Sequence, residues 1–425
     1  MAHKFIFALC TFLLSSLLYA QEATVKKTLT VTDLESLFLA SNYELLIAKY
    51  EIERAEAEIL QQRLFPNPTL AISELNLWSN RTHEQLAPLF GRYGRSQQFG
   101  VDLEQLIETA GKRKKRVHIA QLEKTDAQLD FEETLLNLRY DLRNTFHALQ
   151  KVTAQEQQVA VLVDQFSQLS EQYERHANLQ TINRADFFRI QSATISWKEE
   201  LVSLQDEQLE HLDRLKRYTH LPDLRLQDLA LSLRTEGQLT SLIPANLQEL
   251  AYNNHLDLKR AQNNQSLAQS ELKLEEANRV PDLNIGISYD RGGNIMRDFV
   301  GFGISMDLPL FNKNQGNIRA AKLRIQQEES ARSGLRMALD NTLEKLVSQL
   351  RLYENALDGQ PAELTENFSL ILENYAKNLR AQQVTLMEFI DFSESYVDAQ
   401  KAFLQLQEKY YQTFEELKYT IGKDL

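Results

Sequence analysis

Histidine, cysteine and carboxylate side chains are the residue types in this chain of 425 residues that could bind a metal ion or move a proton. None of the eight histidines has the helical spacing HxxxH or HxxE that brings two ligands to one face. The sequence also lacks a glycine-rich phosphate loop between a strand and a helix, a nucleophile elbow and a pair of catalytic carboxylates. We therefore expect no metal site, no cofactor and no enzymatic activity. The histidines are His3, His83, His118, His147, His176, His211, His220 and His255.

The charge of the chain argues against nucleic acid as a partner. The formal net charge is -12, whereas binding to phosphates requires clustered lysines and arginines. The single basic run, KRKKR at Lys112–Arg116, follows a glycine at a predicted helix start. We interpret it as a local patch.

The first twenty residues have the pattern of a secretory signal peptide. Lys4 precedes a mostly apolar run from Phe5 to Leu18, and Ala20 supplies the small residue before the predicted cleavage site. Cys10, the only cysteine, lies inside this segment and ahead of apolar residues, which is a poor position for lipoprotein cleavage. We expect the mature chain to have no disulfide, no thiolate metal site and no lipid anchor.

Long helices must occupy most of the mature chain. Residues 112–221 contain neither glycine nor proline and are rich in Leu, Gln, Glu, Ala and Arg. The turn-forming residues between His176 and Asp186 predict a break, with a helix of about 65 residues before it and one of about 35 after it. A second helical region begins near Asn317, and we place its turn between Tyr375 and Phe389.

Two glycine- and proline-rich windows, 66–111 and 281–316, predict strand pairs. In the second window, apolar side chains alternate with small or polar ones, as in Leu283, Ile285, Ile287 and Tyr289. Period-two alternation with one apolar face predicts a half-exposed sheet.

The chain contains an internal duplication of the order helix, strand, strand, long helix, turn, helix. Leu34 corresponds to Leu247 at an offset of 213, and Asp102 corresponds to Asp307 at an offset of 205. We divide the chain into the signal peptide (1–20), a first repeat (21–221), a linker (222–246) and a second repeat (247–425). Four strands are too few to close a barrel, and helices of about 100 Å cannot bury their apolar stripes in a globular core. Assembly of several copies into a ring would remove both problems.

The motifs FPNPTL, ETAGKRKKR and LPLFNKNQGNI, together with the duplicated plan, resemble the TolC family of outer-membrane efflux proteins, and within it the CzcC-like branch that serves heavy-metal pumps. The resemblance implies an α+β membrane protein with a TolC-like fold. It implies a homotrimer whose strands form a twelve-stranded outer-membrane β-barrel, stacked on a long periplasmic α-helical barrel. The linker at 222–246, residues 21–33 and the region of Gly359 and Pro361 would form an equatorial belt.

The function implied by the resemblance is that of an outer-membrane exit duct in a Gram-negative bacterium. The duct extends into the periplasm, contacts outer-membrane lipid, and docks on a periplasmic adaptor (membrane fusion protein) and an inner-membrane RND pump. The cargo implied by the branch is divalent metal cations, which the duct conducts passively. A general drug duct or a type I secretion duct remains the alternative, and a secreted coiled-coil protein is a further alternative that has no use for the strand pairs.

The resemblance also implies that carboxylates near the two helical turns form a periplasmic gate or cation-selective ring. The corresponding residues are Asp186 in the first repeat, with Glu388 and Asp391 in the second. Glu388 and Asp391 are three residues apart and therefore share one face of a helix. Carboxylates brought together by three copies would attract cations and repel anions. Ordinary solvated or capping carboxylates are the other interpretation of the same residues.

Overall fold

The computed structural model describes residues 28–73, 75, 86–90, 98–232, 238–292, 296–358 and 368–425. The predicted signal peptide, Cys10, His3, His83, Gly359 and Pro361 lie outside the described residues. The α-helices, in chain order, are α1 (Val31–Ser41), α2 (Tyr43–Arg63), α3 (Lys112–Asn178), α4 (Arg184–Thr219), α5 (Leu247–Asn254), α6 (Leu256–Ala277), α7 (Gln315–Leu357), α8 (Phe368–Arg380) and α9 (Leu386–Ile421).

The predicted helical hairpin is confirmed. Helix α3 has 67 residues and α4 has 36, separated by a turn at the predicted break. The second turn lies between α8 and α9, inside the predicted window. Among the described segments, none of the helices combines the length and the apolarity that a membrane-spanning helix needs.

The four strands form one antiparallel sheet in the order β1 (Thr69–Ser73), β2 (Phe99–Ile107), β3 (Leu283–Arg291) and β4 (Asp298–Met306). The register places Leu70, Leu103, Ile287 and Phe302 opposite one another in a single row across the sheet. All four side chains are exposed. The predicted alternation is therefore confirmed, and the apolar face of the sheet has no covering layer in the described chain.

Small and polar residues occupy the opposite face. Asp102, Ser288 and Gly301 form one row there. A Cβ atom added at Gly301 would lie 2.8 Å from Ser288 Oγ and 2.7 Å from the ring of Phe299, so this face has no space for a side chain at that position. At Gly303 the corresponding position is open.

The chain forms two compact units, and neither unit is a repeat. The first unit comprises Met1–Tyr43, Leu135–Leu247 and Thr342–Leu425, and the second comprises Glu44–Thr134 and Gln248–Asn341. Each unit takes residues from both repeats. The predicted repeats are therefore successive stretches of the chain, whereas each compact unit combines corresponding parts of both repeats.

In the second unit, the basic run at 112–116 holds the junction between strand and helix. Lys112 is buried, and its Nζ lies 2.8 Å from Asp282 Oδ1 and donates a hydrogen bond of 2.8 Å to the carbonyl of Val280. Burial raises the pKa of Asp282, but the hydrogen bonds from Lys112 and Thr109 outweigh it, and the net pKa lies below the ordinary value. Arg116 pairs with Glu108 at 2.6 Å. These contacts give the run a structural role.

In the first unit, the linker is held by contacts with its neighbours. Residues Leu29 and Leu229 form a parallel bridge, with Leu29 donating to the carbonyl of Asp228 at 2.7 Å. The backbone N–H of Leu239 donates to the hydroxyl of Tyr410 on α9 at 2.7 Å. The structure thus joins residues of two segments that the resemblance places in the equatorial belt.

Candidate functional site

The two helical turns have the same backbone geometry. After α3, Gln180 adopts the left-handed conformation with φ 56°, and after α8, Gln382 does so with the same φ. In both turns the next residue donates back across the turn, from Thr181 to His176 at 3.0 Å and from Gln383 to Asn378 at 2.9 Å. These bonds form a Schellman motif, which satisfies the free carbonyls at a helix C-terminus. The two turns, which the predicted duplication relates to each other, therefore have matching hydrogen bonds.

An apolar cluster of the first unit packs next to the turns. Phe166, Ile190 and Phe389 are fully buried in it, and the rings of Phe166 and Phe389 lie 5.3 Å apart. Tyr375 stacks on Phe392 with their centroids 4.2 Å apart. Because close-packed side chains permit little independent motion, this cluster fixes the helices that carry the predicted gate residues.

Glu388 caps the start of α9. Its carboxylate accepts hydrogen bonds from the backbone N–H and the hydroxyl of Thr385 at 2.7 and 2.9 Å, and Thr385 in turn accepts from the N–H of Glu388 at 3.2 Å. This reciprocal pair is a capping box, and its signature Thr-x-x-Glu is present in the sequence. The bonds from Thr385 lower the pKa of Glu388, which favours its ionised form. Sequence reasoning selected Glu388 but missed its partner Thr385.

Asp186 and Asp391 have different surroundings. Asp186 lies in the first turn of α4, where its carboxylate is 3.3 Å from the guanidinium of Arg189. Asp391 is exposed on α9, on the same side as Glu388, and no ion pair involves it within the described part of the chain. No hydrogen bond or ion pair among the described residues joins Asp186 to the other two. The structure therefore brings Glu388 and Asp391 together on one helix and leaves Asp186 on another.

The described histidines take part in local contacts. His255 caps α6 by accepting from the N–H of Leu258, and burial lowers its pKa, which favours the neutral acceptor. His176 contacts Thr181 at 3.0 Å, and His147 stacks on Tyr411. Over the residues that the structure describes, no group of three His, Cys, Asp or Glu side chains is arranged to hold a metal ion.

Comparison with known proteins adds four findings. A family model described as outer membrane efflux protein matches residues 247–423. The cobalt-zinc-cadmium resistance protein CzcC of Cupriavidus metallidurans is 23% identical over 340 residues, which cover 76% of this chain and 73% of CzcC. The CmeC outer membrane channel of Campylobacter jejuni matches with a TM-score of 0.73 and 13% identity, over 92% of this chain and 85% of CmeC.

The second predicted repeat therefore matches the outer membrane efflux protein family over residues 247–423. The outer membrane protein VceC of Vibrio cholerae shares the fold as well, with a TM-score of 0.70 and 16% identity over 92% of this chain and 96% of VceC. The predicted TolC-like fold, mostly helical with a small sheet, is confirmed.

Proposed function

We propose that this chain is an outer membrane efflux protein and that three copies of it form the exit duct of a tripartite pump. The duct passively conducts divalent metal cations, delivered by a periplasmic adaptor and an inner-membrane RND pump, to the outside. The observation that carries the proposal is the four-stranded sheet with an exposed apolar face. Such a face is unstable in water but suits lipid, and twelve strands from three copies would close it into a barrel.

The two edges of the sheet support closure by further copies. Within the described chain, β1 pairs only with β2 and β4 pairs only with β3. Unpaired strand edges expose backbone hydrogen-bonding groups, which cannot remain unsatisfied in lipid. Because β1 and β4 would meet antiparallel in a head-to-tail ring, the edges of neighbouring copies can satisfy one another.

The internal duplication predicts the register of this contact. Helix α7 begins 203 residues after α3, at Gln315 and Lys112, which is two fewer than the offset of 205 inferred from the sequence. The strands β1 and β3 are related by the offset of 213. Within the chain Ile107 pairs with Leu283. Applying the offsets of 203 and 213 to this pair places Leu310 of one copy opposite Leu70 of the next. Leu310 lies four residues beyond the end of β4 at Met306, so this register requires β4 to extend when the copies assemble. Both leucines are exposed in the single chain.

Cysteine cross-linking tests the ring and its register. In a variant with Cys10→Ser, the pair Leu70→Cys and Leu310→Cys should give covalent dimers and trimers with a short thiol cross-linker. The matched pair Ile72→Cys and Leu310→Cys, shifted by two residues, should cross-link much less, because diagonal neighbours lie about 7–8 Å apart. A protein that stays monomeric in gentle detergent would refute the trimer, whereas a trimer that cross-links in another register would refute only the pairing.

The metal cargo is proposed from the similarity to CzcC, a cobalt-zinc-cadmium resistance protein. The alternative, a general drug or type I secretion duct, uses the same architecture. Deletion of the gene, followed by growth on zinc, cobalt, nickel, cadmium and copper and on detergents, dyes and antibiotics, separates the two. We expect sensitivity to the metals alone, restored by the wild-type gene. Sensitivity to the organic compounds alone would refute the metal cargo and leave the duct standing.

The gate is part of this proposal. Asp186, Glu388 and Asp391 lie beside the two turns, where a narrow ring of carboxylates would favour cations. Glu388 is engaged by Thr385 and Asp186 by Arg189. Asp391 therefore carries the charge that is most available to a passing cation.

A further inference from the structure

A cationic cavity lies at the junction between the sheet and α7 in the second unit. The cavity has a volume of about 550 Å³ and is lined by the cations Arg279, Lys313, Arg319 and Lys322 together with Phe311. All four cations are exposed, and no carboxylate pairs with any of them in the described residues. This contrasts with Arg324, two residues after Lys322 on α7, which pairs with Glu271 at 2.6 Å. The cluster is also unusual in a chain with a net charge of -12.

Exposed apolar side chains border this cavity on the side of the sheet. Strand β4 ends at Met306, and Leu308, Leu310 and Phe311 follow it. Phe311 is 93% exposed, the highest value among the large apolar side chains of the described chain. An apolar band with an aromatic residue at its end, followed at once by cations, is the order of groups found where a protein passes from lipid hydrocarbon to lipid headgroups.

The first repeat has a similar arrangement at its own junction. Phe65, between α2 and β1, is 71% exposed. The guanidinium of Arg113, in the first turn of α3, lies 3.5 Å from the centre of its ring. Both repeats therefore place an exposed phenylalanine beside a cation at the level where strands meet helices.

We propose that the cavity formed by Arg279, Lys313, Arg319 and Lys322 binds the phosphate of an anionic phospholipid in the periplasmic leaflet of the outer membrane. The cations would pair with the headgroup phosphate, and Phe311 with the neighbouring leucines would contact the acyl chains. The N-terminus of α7, which begins at Gln315, adds a positive dipole end at the same place. The inference rests on the proposed placement of the sheet in the membrane and is independent of the cargo.

Lipid titration by native mass spectrometry tests the site on the full-length mature protein in a neutral detergent. The wild type should bind phosphatidylglycerol more tightly than phosphatidylcholine. The variant Arg319→Gln/Lys322→Gln should bind phosphatidylglycerol about thirty-fold more weakly. Each cation near an anionic lipid surface contributes about 1 kcal/mol to binding, and the loss of two such contributions corresponds to about this factor. The control variant Lys345→Gln/Arg351→Gln, which removes two cations from the same helix outside the cavity, should bind like the wild type.

Three results would overturn the inference. Equal binding of the two lipids, or unchanged phosphatidylglycerol binding by the variant, would show that the cavity does not recognise a charged headgroup. Displacement of phosphatidylglycerol by millimolar inorganic phosphate would assign the cavity to a soluble anion instead. Flotation of the protein with liposomes is measured in parallel. Failure to float would count against the membrane placement itself, whereas flotation without lipid selectivity would count against this site alone.

Discussion

Replacement of Arg143 by methionine should destabilise the first unit by a measurable and pH-dependent amount. Arg143 on α3 contacts three carboxylates. Its Nη1 lies 2.9 Å from Glu415 and 2.6 Å from Asp424, and its Nε pairs with Glu35. The side chains of Arg143, Glu35 and Glu415 are 12%, 12% and 9% exposed, so the cluster is largely removed from water. It connects α1, α3 and the end of α9.

The magnitude follows from what remains after the substitution. Breaking a buried ion pair by removing one partner costs about 3–5 kcal/mol, because the other charge stays buried without a partner. Here Arg139 still lies 3.5 Å from Glu35, and Lys418 still contacts Glu415 at 2.5 Å. These cations reduce the loss in the free energy of unfolding to about 2–3 kcal/mol, which corresponds to a fall in Tm of about 5 °C.

The pH dependence distinguishes this mechanism from a loss of packing. Burial raises the pKa of Asp424, but the hydrogen bond from Arg143 outweighs it, and the net pKa is lowered. In the wild type, the lowered pKa of Asp424 contributes to the free energy of unfolding above the unfolded pKa near 4. This contribution is lost as the pH falls through the lower pKa of the folded state. Without Arg143, only Arg139 and Lys418 oppose the effect of burial, so the pKa of Asp424 is higher in the variant than in the wild type. The deficit of the variant in the free energy of unfolding should therefore be smaller at pH 5 than at pH 7.5.

Thermal unfolding followed by circular dichroism at these two pH values measures both effects. The matched control is Arg217→Met, which removes an arginine from an exposed pair with Asp213. It should change the stability by less than about 1 kcal/mol. The reasoning is refuted if Arg143→Met unfolds like the control, or if its deficit is the same at pH 5 as at pH 7.5.

The remaining predictions concern the sheet, the turns and the linker. Gly301→Ala should reduce the yield of assembled protein on gels because the added Cβ meets Ser288 and Phe299, whereas Gly303→Ala should assemble normally; equal yields would contradict this. Asp391→Asn should lower the cation preference in bilayer conductance more than Asp186→Asn, which removes a charge already paired with Arg189; the reverse order would contradict the gate assignment. Tyr410→Phe leaves the buried N–H of Leu239 without its acceptor and should lower the free energy of unfolding by about 1–3 kcal/mol in thermal denaturation, so an unchanged Tm would contradict the role of this bond.

Burial also predicts how Tyr410 responds to alkali. Desolvation raises the pKa of Tyr410 to about 12. A raised pKa means that the folded state favours the neutral phenol. The contribution of this phenol to the free energy of unfolding is therefore complete below the unfolded pKa near 10, and it is lost as the pH rises towards 12. Separate spectroscopic titrations of the two proteins should show one tyrosine fewer in Tyr410→Phe than in the wild type as the pH rises towards 12.

The sequence by itself determined the elements and their faces. A stretch without glycine or proline from Lys112 to Leu221 leaves the backbone little choice but helix, and the polar segment after His176 supplies the break. Strict alternation determines which side chains of β3 share a face, since successive residues of a strand point to opposite sides. These properties depend on neighbours along the chain, and for that reason they could be predicted from residues alone. The resemblance to a family came from the motifs.

The tertiary structure decided which distant residues share a charge or a hydrogen bond. Glu35, Arg143, Glu415 and Asp424 come from three separate parts of the chain and meet only in the folded first unit. The cationic cavity likewise combines Arg279, which precedes β3 in the chain, with Lys322, which follows β4. No local pattern encodes such contacts, because they depend on how helices pack and on which carboxylate each cation finds in space. The same reason explains why three carboxylates that look alike in the sequence differ in the structure, with Glu388 a cap, Asp186 a partner of Arg189 and Asp391 exposed.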